Sequence, residues 1–375
     1  MATRKKKRSV RDLLYKGEYF DYTLLLVVLF LVAFGLVMVY STSSYKSITT
    51  YGNAYHWLLR QGIFAMFGIG AMLFISNMDY HVFKRFTVPL WFSMWILQVM
   101  VMIIGIEVNG SKRWLGIGSF SVQPSEIAKM SLVLVMAHCI TVYLPLIGKF
   151  KSLFMFFIIS AGPVIALVGV ENMSTSLILF AIAGVMVFVA VPGYKQFATI
   201  IGCCGALVAI LLMSQSYRIE RIQIFLDPTS TPKGYQTLQA LYAIGSGGIF
   251  GKGLGQSMQK MGFIPEAYND MIFSVVCEEL GLFGALAVIA LVLILIYRCV
   301  IVAYHAPDLY GSLIVIGVMS HISIQMLINM MVVTKTIPPT GVPLPFISYG
   351  GTSIVFLLVE VGLVLSVSRH IRLSN

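Results

Sequence analysis

Hydrophobic residues in this chain fall into ten blocks, at roughly 22–42, 57–77, 86–106, 126–146, 153–171, 176–191, 197–216, 271–297, 311–333 and 351–368. Each is near the ~20 residues that a helix needs to cross the hydrocarbon core of a bilayer. Only Glu171 to Thr175 separates the fifth block from the sixth, which predicts a tight helical hairpin. The longest stretch between blocks, 217–269, is Gly-rich and semi-apolar and reads as amphipathic segments lying on the outer membrane surface. The pattern predicts an all-α polytopic membrane protein of about ten transmembrane helices. Its membrane domain covers 22–368, with short tails at 1–21 and 369–375.

Composition removes the soluble alternative. The 375 residues are 58% hydrophobic and only 11% charged, whereas a soluble domain carries about 25% charged residues to cover its surface. The net charge of +11 then sets orientation. Seven of the 26 Lys and Arg residues precede the first block (Arg4, Lys5, Lys6, Lys7, Arg8, Arg11, Lys16). Their clustering reads as a basic tail on anionic lipid rather than a nucleic-acid surface. The run from Tyr22 to Tyr40 exceeds the about 7–15 apolar residues of a signal peptide, so it is read as a retained span. With the N-terminus inside, cytoplasmic segments hold 15 basic residues and the short outer segments four, so both termini are expected in the cytoplasm. The five cysteines lack metal-ligand spacing, and no disulfide or zinc site is expected.

Ionisable side chains within or beside a span are costly unless paired or hydrated, so each marks a candidate site. In the segment EVNGSKRWLGIGSFSVQPSEIAKMS, Pro124 suits a first helical turn, and Glu126 and Lys129 lie three apart on one helical face. A dipole-favoured Glu beside a snorkelling Lys is the plain structural alternative. Asp270 precedes the eighth block, where a simple N-cap is the alternative to a functional role. Glu278 and Glu279 follow below the surface of the same block, where they need polar partners, water or a proton, as a structural clamp or a catalytic pair. The last outer segment, TKTIPPTGVPLPFISYGGTS, carries four prolines and Gly350-Gly351. It is expected to be re-entrant, buried or lining a cavity, with the hydroxyls of Ser348 and Tyr349 pointing into that cavity. The three polar segments share one side of the membrane, which predicts a common extracytoplasmic cavity.

These motifs together resemble the SEDS family (shape, elongation, division and sporulation proteins). The residues that carry the resemblance are NGSKRWLGIGSFSVQPSEIAK, RIQIFLDP, GYQTLQALYAIGSGGIFGKGLGQSMQK, PEAYNDMIFSVVCEELG and PPTGVPLPFISYGG, in chain order. The proline-rich segment and basic tail are more similar to the FtsW and SpoVE division and sporulation branch than to the RodA branch. The resemblance implies a peptidoglycan glycosyltransferase that polymerises lipid II, a disaccharide-pentapeptide on undecaprenyl diphosphate, at the outer face of the cytoplasmic membrane. Asp270 matches the acidic residue treated as catalytic in the family, Glu126 and Lys129 its Glu/Lys pair, and Arg113 and Trp114 its RW motif. Gln123, Ser348 and Tyr349 complete the expected substrate-binding set.

In that chemistry Asp270 is the base for a sugar 4-hydroxyl, and Lys129 and Arg113 clamp phosphate oxygens. Glu126 orients Lys129 or tunes its charge. A divalent cation, Mg2+ or Mn2+, suits the diphosphate, although no metal cage is visible in the sequence. Asn172 in ENMSTS departs from the acidic residue usual there, which puts the role of that loop in question. The implied partners are a class B penicillin-binding protein and division or sporulation proteins. A lipid II flippase and a non-catalytic scaffold for a penicillin-binding protein are the rival readings.

Overall fold

The computed structural model describes residues 19–108, 111–117, 120–147, 150–191, 193, 198, 201–202, 205, 216–229, 234–265 and 267–371. The basic cluster Arg4 to Lys16, nearly all of the seventh block and the last four residues lie outside the described residues.

The apolar blocks within the described residues become helices. Those long and apolar enough to span a membrane are α1 (Tyr22–Tyr51), α2 (His56–Ser76), α3 (Thr87–Ile104, led in by a 3₁₀ turn at Tyr80–Phe86), α4 (Pro124–Tyr143), α7 (Met173–Ala190), α10 (Ile272–Tyr304), α11 (Leu309–Val333) and α12 (Gly351–Arg369). Between α4 and α7, α5 (Phe150–Ser160) and α6 (Gly162–Glu171) meet at a 50° bend, and taken together they are long and apolar enough to count as a ninth candidate span among the described residues. Two shorter helices, α8 (Ser216–Leu226) and α9 (Gly234–Gly247), lie in the expected long loop.

The described spans are all helical, as expected, and the short strands lie between α3 and α4, outside them. Residues 106–122 form an antiparallel meander of β1 (Ile106–Val108), β2 (Ser111–Ile117) and β3 (Phe120–Val122). Val108 pairs with Ser111 and Ile117 with Phe120. Strand pairing satisfies backbone groups in segments too short for a helix. The end of the bundle carrying this meander is called the sheet end, and the opposite one the far end.

In the bundle α12 lies along α2, α4 packs on α3, and α11 packs against α4, α7 and α10. Helices α4, α11 and α12 are largely enclosed, whereas α2 and α3 turn Leu59, Phe67, Phe74, Phe92 and Ile96 outward. Large apolar side chains on the outside match a hydrocarbon surround. An apolar cavity of about 360 Å³ near the far end, lined by Ile75, Phe83, Leu90, Leu134 and Leu363 among others, contains no ionisable side chain.

The fully buried Glu278 and Glu279 are structural clamps. Glu278 pairs with Lys252 at 2.8 Å and accepts hydrogen bonds from Ser257 and from the Met258 amide. Glu279 pairs with Lys260 at 2.7 Å and accepts from Ser41 of α1. Together they fasten the loop after α9 onto α10. That loop fits because α10 breaks at Gly281, whose φ of 66° is left-handed and whose site a Cβ would fill at 2.4 Å from the Gly251 nitrogen.

The segment between α11 and α12 returns into the bundle as expected. Val342, Leu344, Phe346 and Ile347 are buried, and the chain presses on Gly35 near the middle of α1, where a Cβ would lie 2.4 Å from the Phe346 carbonyl oxygen. At the far end, Asp21 is no part of a free tail: it caps α1 by accepting from the Leu24 amide and pairs with Arg298 of α10 at 2.8 Å. Asp308 caps α11 through the Gly311 amide, and also receives the Tyr80 hydroxyl and His81.

Two outcomes are expected. Gly35→Val forces a side chain into backbone, and should lower stability by at least the roughly 1–3 kcal/mol of an overpacked core; an unchanged melting temperature in detergent would refute the close approach. Burial pushes the Asp308 carboxyl up, but the Gly311 amide, Tyr80 and His81 more than offset it, so the folded value lies below the ordinary one. A depressed carboxylate stabilises above its unfolded pKa of about 3.9 and loses that contribution as pH falls through the folded value. Asp308→Asn should therefore flatten the acid limb of a melting-temperature profile while leaving its neutral-to-alkaline shape in place.

Candidate active site

The candidate site is built on one face of α11. His321, Gln325 and Asn329 recur every four residues, so they stack along that face, and all three are buried. Asn329 donates through Nδ2 to the carbonyl of Asp270 at 2.7 Å and to that of Val342 at 2.8 Å. Gln325 donates through Nε2 to the Pro343 carbonyl at 3.1 Å and accepts from Lys129 Nζ at 2.9 Å. All three polar segments thus meet on α11.

Asp270 is half-buried in the turn before α10, whose N-cap position is Met271, so it stands one residue outside the helix. Its carboxylate Oδ2 lies 3.9 Å from where a Cβ on Gly341 would sit, placing it against the re-entrant segment. That segment is further held at the Thr340 carbonyl, which accepts from Ser174 of α7 at 3.3 Å and from Arg221 of α8 at 3.1 Å.

Glu126 and Lys129 form the expected pair at 2.9 Å in the first turns of α4, with Pro124 at the start. Their side chains are only 6% and 3% exposed. The ammonium is held by Glu126 and Gln325, so Lys129 is enclosed behind the surface rather than presented on it. Gln123 occupies the N-cap position of α4 and turns its amide to Ser125 Oγ at 3.0 Å.

Arg113 and Trp114 lie half-buried on β2. Arg113 donates from Nε to the Glu171 carbonyl at 3.1 Å and from Nη2 to Ser111 Oγ, and the Lys112 amide donates to the Glu171 carboxylate. The motif thereby ties the meander to the end of α6. Asn172, where an acidic residue was expected, caps α7 by accepting from the Thr175 amide at 3.2 Å, a task an amide oxygen performs as well as a carboxylate.

Ser348 departs from its expected role. Its hydroxyl donates to the Asn269 carbonyl at 2.6 Å and accepts from the Leu344 amide at 2.8 Å, so it closes a turn instead of facing a cavity. Tyr349 packs edge-on to Trp57 at 4.8 Å, within an aromatic group that includes Tyr268.

Sequence reasoning missed Gln325, Asn329, Arg221, His321 and Glu360. The last two pair at 2.7 Å in the middle of spans α11 and α12. A usable signal was present: three polar residues at four-residue spacing inside an apolar block, and a lone Glu in another.

The chain matches the Cell cycle protein family (FtsW/RodA/SpoVE) over residues 22–373. It is 38% identical to stage V sporulation protein E of Bacillus subtilis (strain 168), over 94% of this chain and 98% of the relative. It is 36% identical to the probable peptidoglycan glycosyltransferase FtsW of Geobacter sp. (strain M18), over 95% and 98%. Among solved structures, a chain from work on the structural coordination of polymerization and crosslinking by a peptidoglycan synthase complex superposes with a TM-score of 0.78, at 24% identity, over 95% of this chain and 99% of that one. The rod shape determining protein RodA of Thermus thermophilus gives 0.69 at 24% identity, over 95% and 98%. The family match, the full-length similarity and the fold agree, and the chain belongs to the FtsW/RodA/SpoVE, or SEDS, family.

Proposed function

We propose that this protein is a peptidoglycan glycosyltransferase that polymerises lipid II at the outer face of the cytoplasmic membrane. The carrying observation is Asp270: a half-buried carboxylate at the sheet end, its main chain gripped by Asn329 and its side chain set against Gly341. The name shared by several full-length relatives, probable peptidoglycan glycosyltransferase, supports the same reading.

Asp270 accepts the proton of an incoming sugar 4-hydroxyl as its oxygen forms a bond to the anomeric carbon of the second sugar. The bond from that carbon to the diphosphate oxygen breaks, and undecaprenyl diphosphate leaves with the electron pair. Arg113, on the meander, is the proposed cation for the departing phosphate oxygens, with Trp114, Gln123 and Tyr349 as further substrate contacts. Ser348 shapes the re-entrant turn that backs Asp270, and the Glu126–Lys129 pair supplies fixed charges behind it. Among the described residues no three His, Cys, Asp or Glu side chains gather to hold a metal, so a divalent cation enters the proposal only as a companion of the diphosphate and no step runs through it.

The charge distribution supports cytoplasmic termini and an outward sheet end. A septal or sporulation role follows the relatives' names. A class B penicillin-binding protein, as the crosslinking partner, is supported by the structural likeness to a chain of a peptidoglycan synthase complex.

Purified protein in lipid vesicles, supplied with lipid II, should synthesise glycan strands. Asp270→Asn should reduce synthesis at least about a hundredfold, the scale of a lost general base, with melting temperature and co-purification with a transpeptidase unchanged. Retained synthesis in that variant would remove Asp270 as the base; vesicles that translocate lipid II without polymerising it would favour the flippase instead.

A further inference from the structure

We propose that His321 and Glu360 are positioning residues for this reaction, acting through Gln325 on both Lys129 and the re-entrant segment. This inference rests on the glycosyltransferase reading above.

Hydrogen-bond inventory fixes the arrangement. A lysine ammonium only donates and a proline carbonyl only accepts. Gln325 touches Lys129 with one end of its amide, at 2.9 Å, and the Pro343 carbonyl with the other, at 3.1 Å, so its orientation has a single solution. His321 Nε2 lies 2.9 Å from the same Gln325 Oε1, an acceptor, and must therefore carry a proton. His321 Nδ1 lies 2.7 Å from Glu360 Oε2, a contact that takes one further proton. Whether that proton rests on the ring or on the carboxyl, the pair is net neutral.

Glu360 Oε1 finds no hydrogen-bond partner, so the His321 contact is what holds this carboxyl among the described residues. Glu360, sharing the proton at Nδ1, fixes the orientation of the His321 ring, while the Gln325 carbonyl oxygen selects the proton at Nε2. The consequence passes along α11. His321 fixes the Gln325 carbonyl oxygen; Gln325 aims Lys129 and holds Pro343, two residues from Gly341, against which Asp270 lies. Asn329, one turn further, holds Asp270 and Val342 directly. The stripe from His321 to Asn329 covers about 12 Å at ~1.5 Å per residue. His321 and Glu360 are 1% and 0% exposed, too enclosed to touch a lipid-linked sugar. Burying such groups in place of well-packed apolar side chains brings little stability, which leaves placement of the reacting groups as their contribution.

The test is steady-state polymerisation of lipid II by purified full-length variants, each assayed well below its own melting temperature. His321→Ala and Glu360→Ala should lower kcat about tenfold to a hundredfold, the range that follows from misplacing reacting groups by about 1 Å, with KM within about twofold. Glu360→Gln, whose amide can donate to Nδ1 and keep the Nε2–H form, should recover most of the kcat lost in Glu360→Ala. Combining Gln325→Ala with His321→Ala should cost less than the product of the single losses, because both act along one path. Unchanged kcat in folded His321→Ala, a Glu360→Gln as impaired as Glu360→Ala, or multiplicative losses in the double variant would each overturn the proposal. If His321→Ala fails to fold, Glu360→Leu against Glu360→Gln reads the same link. A wild type that makes no glycan defeats the glycosyltransferase reading instead, and a fully active Asp270→Asn removes only the assigned base, whatever the histidine series shows.

Discussion

A non-helical chain can run inside a membrane bundle only if its backbone polar groups find partners, because each one left unsatisfied in hydrocarbon costs several kcal/mol. The re-entrant segment before α12 meets this demand in two ways. Pro338, Pro339, Pro343 and Pro345 remove four donors that would need acceptors. Side chains from neighbouring elements satisfy much of the remainder. Gln61 of α2 donates to the Ser348 carbonyl and accepts from the Gly350 amide, Asn329 and Gln325 of α11 serve Val342 and Pro343, and Ser174 and Arg221 serve Thr340. The candidate site follows from this satisfaction: the groups that make the segment tolerable also bring it against Asp270.

Buried charge has the complementary role of fastening parts of the chain that are far apart in sequence. Asp21 joins α1 to α10, Glu278 and Glu279 join the loop after α9 to α10 and α1, and the Glu126–Lys129 pair reaches α11 through Gln325. Such pairs contribute little net stability compared with apolar packing. Removing one partner is severe, about 3–5 kcal/mol, because it strands the other charge. Their effect is specific register, and register is what a site assembled from separate segments requires.

The lipid-facing surface and the site are kept apart. Helices α2 and α3 carry much of the outward apolar surface, and the apolar cavity near the far end contains no titratable group. The polar chemistry is concentrated where α4, α11, α12 and the turn before α10 meet, with Arg113 and Trp114 brought alongside on a meander rather than on a helix.

By itself the sequence determined the membrane class, the positions of the described spans, the re-entrant character of the proline-rich segment, and the Glu126–Lys129 pairing. Each depends on composition or spacing within one stretch of chain, which hydropathy and helical periodicity record directly. Tertiary structure decided the rest. Isolated polar residues such as His321, Gln325 and Glu360 disappear into the average of an apolar block, and their meaning depends on which residue of another helix they face. The turn made by Ser348, the enclosure of Lys129 and the clamps on Glu278 and Glu279 likewise depend on partners remote in sequence. A hydrogen bond has a direction and a length that only the packed neighbours set, so the chain alone announces that such groups need partners without saying which ones they find.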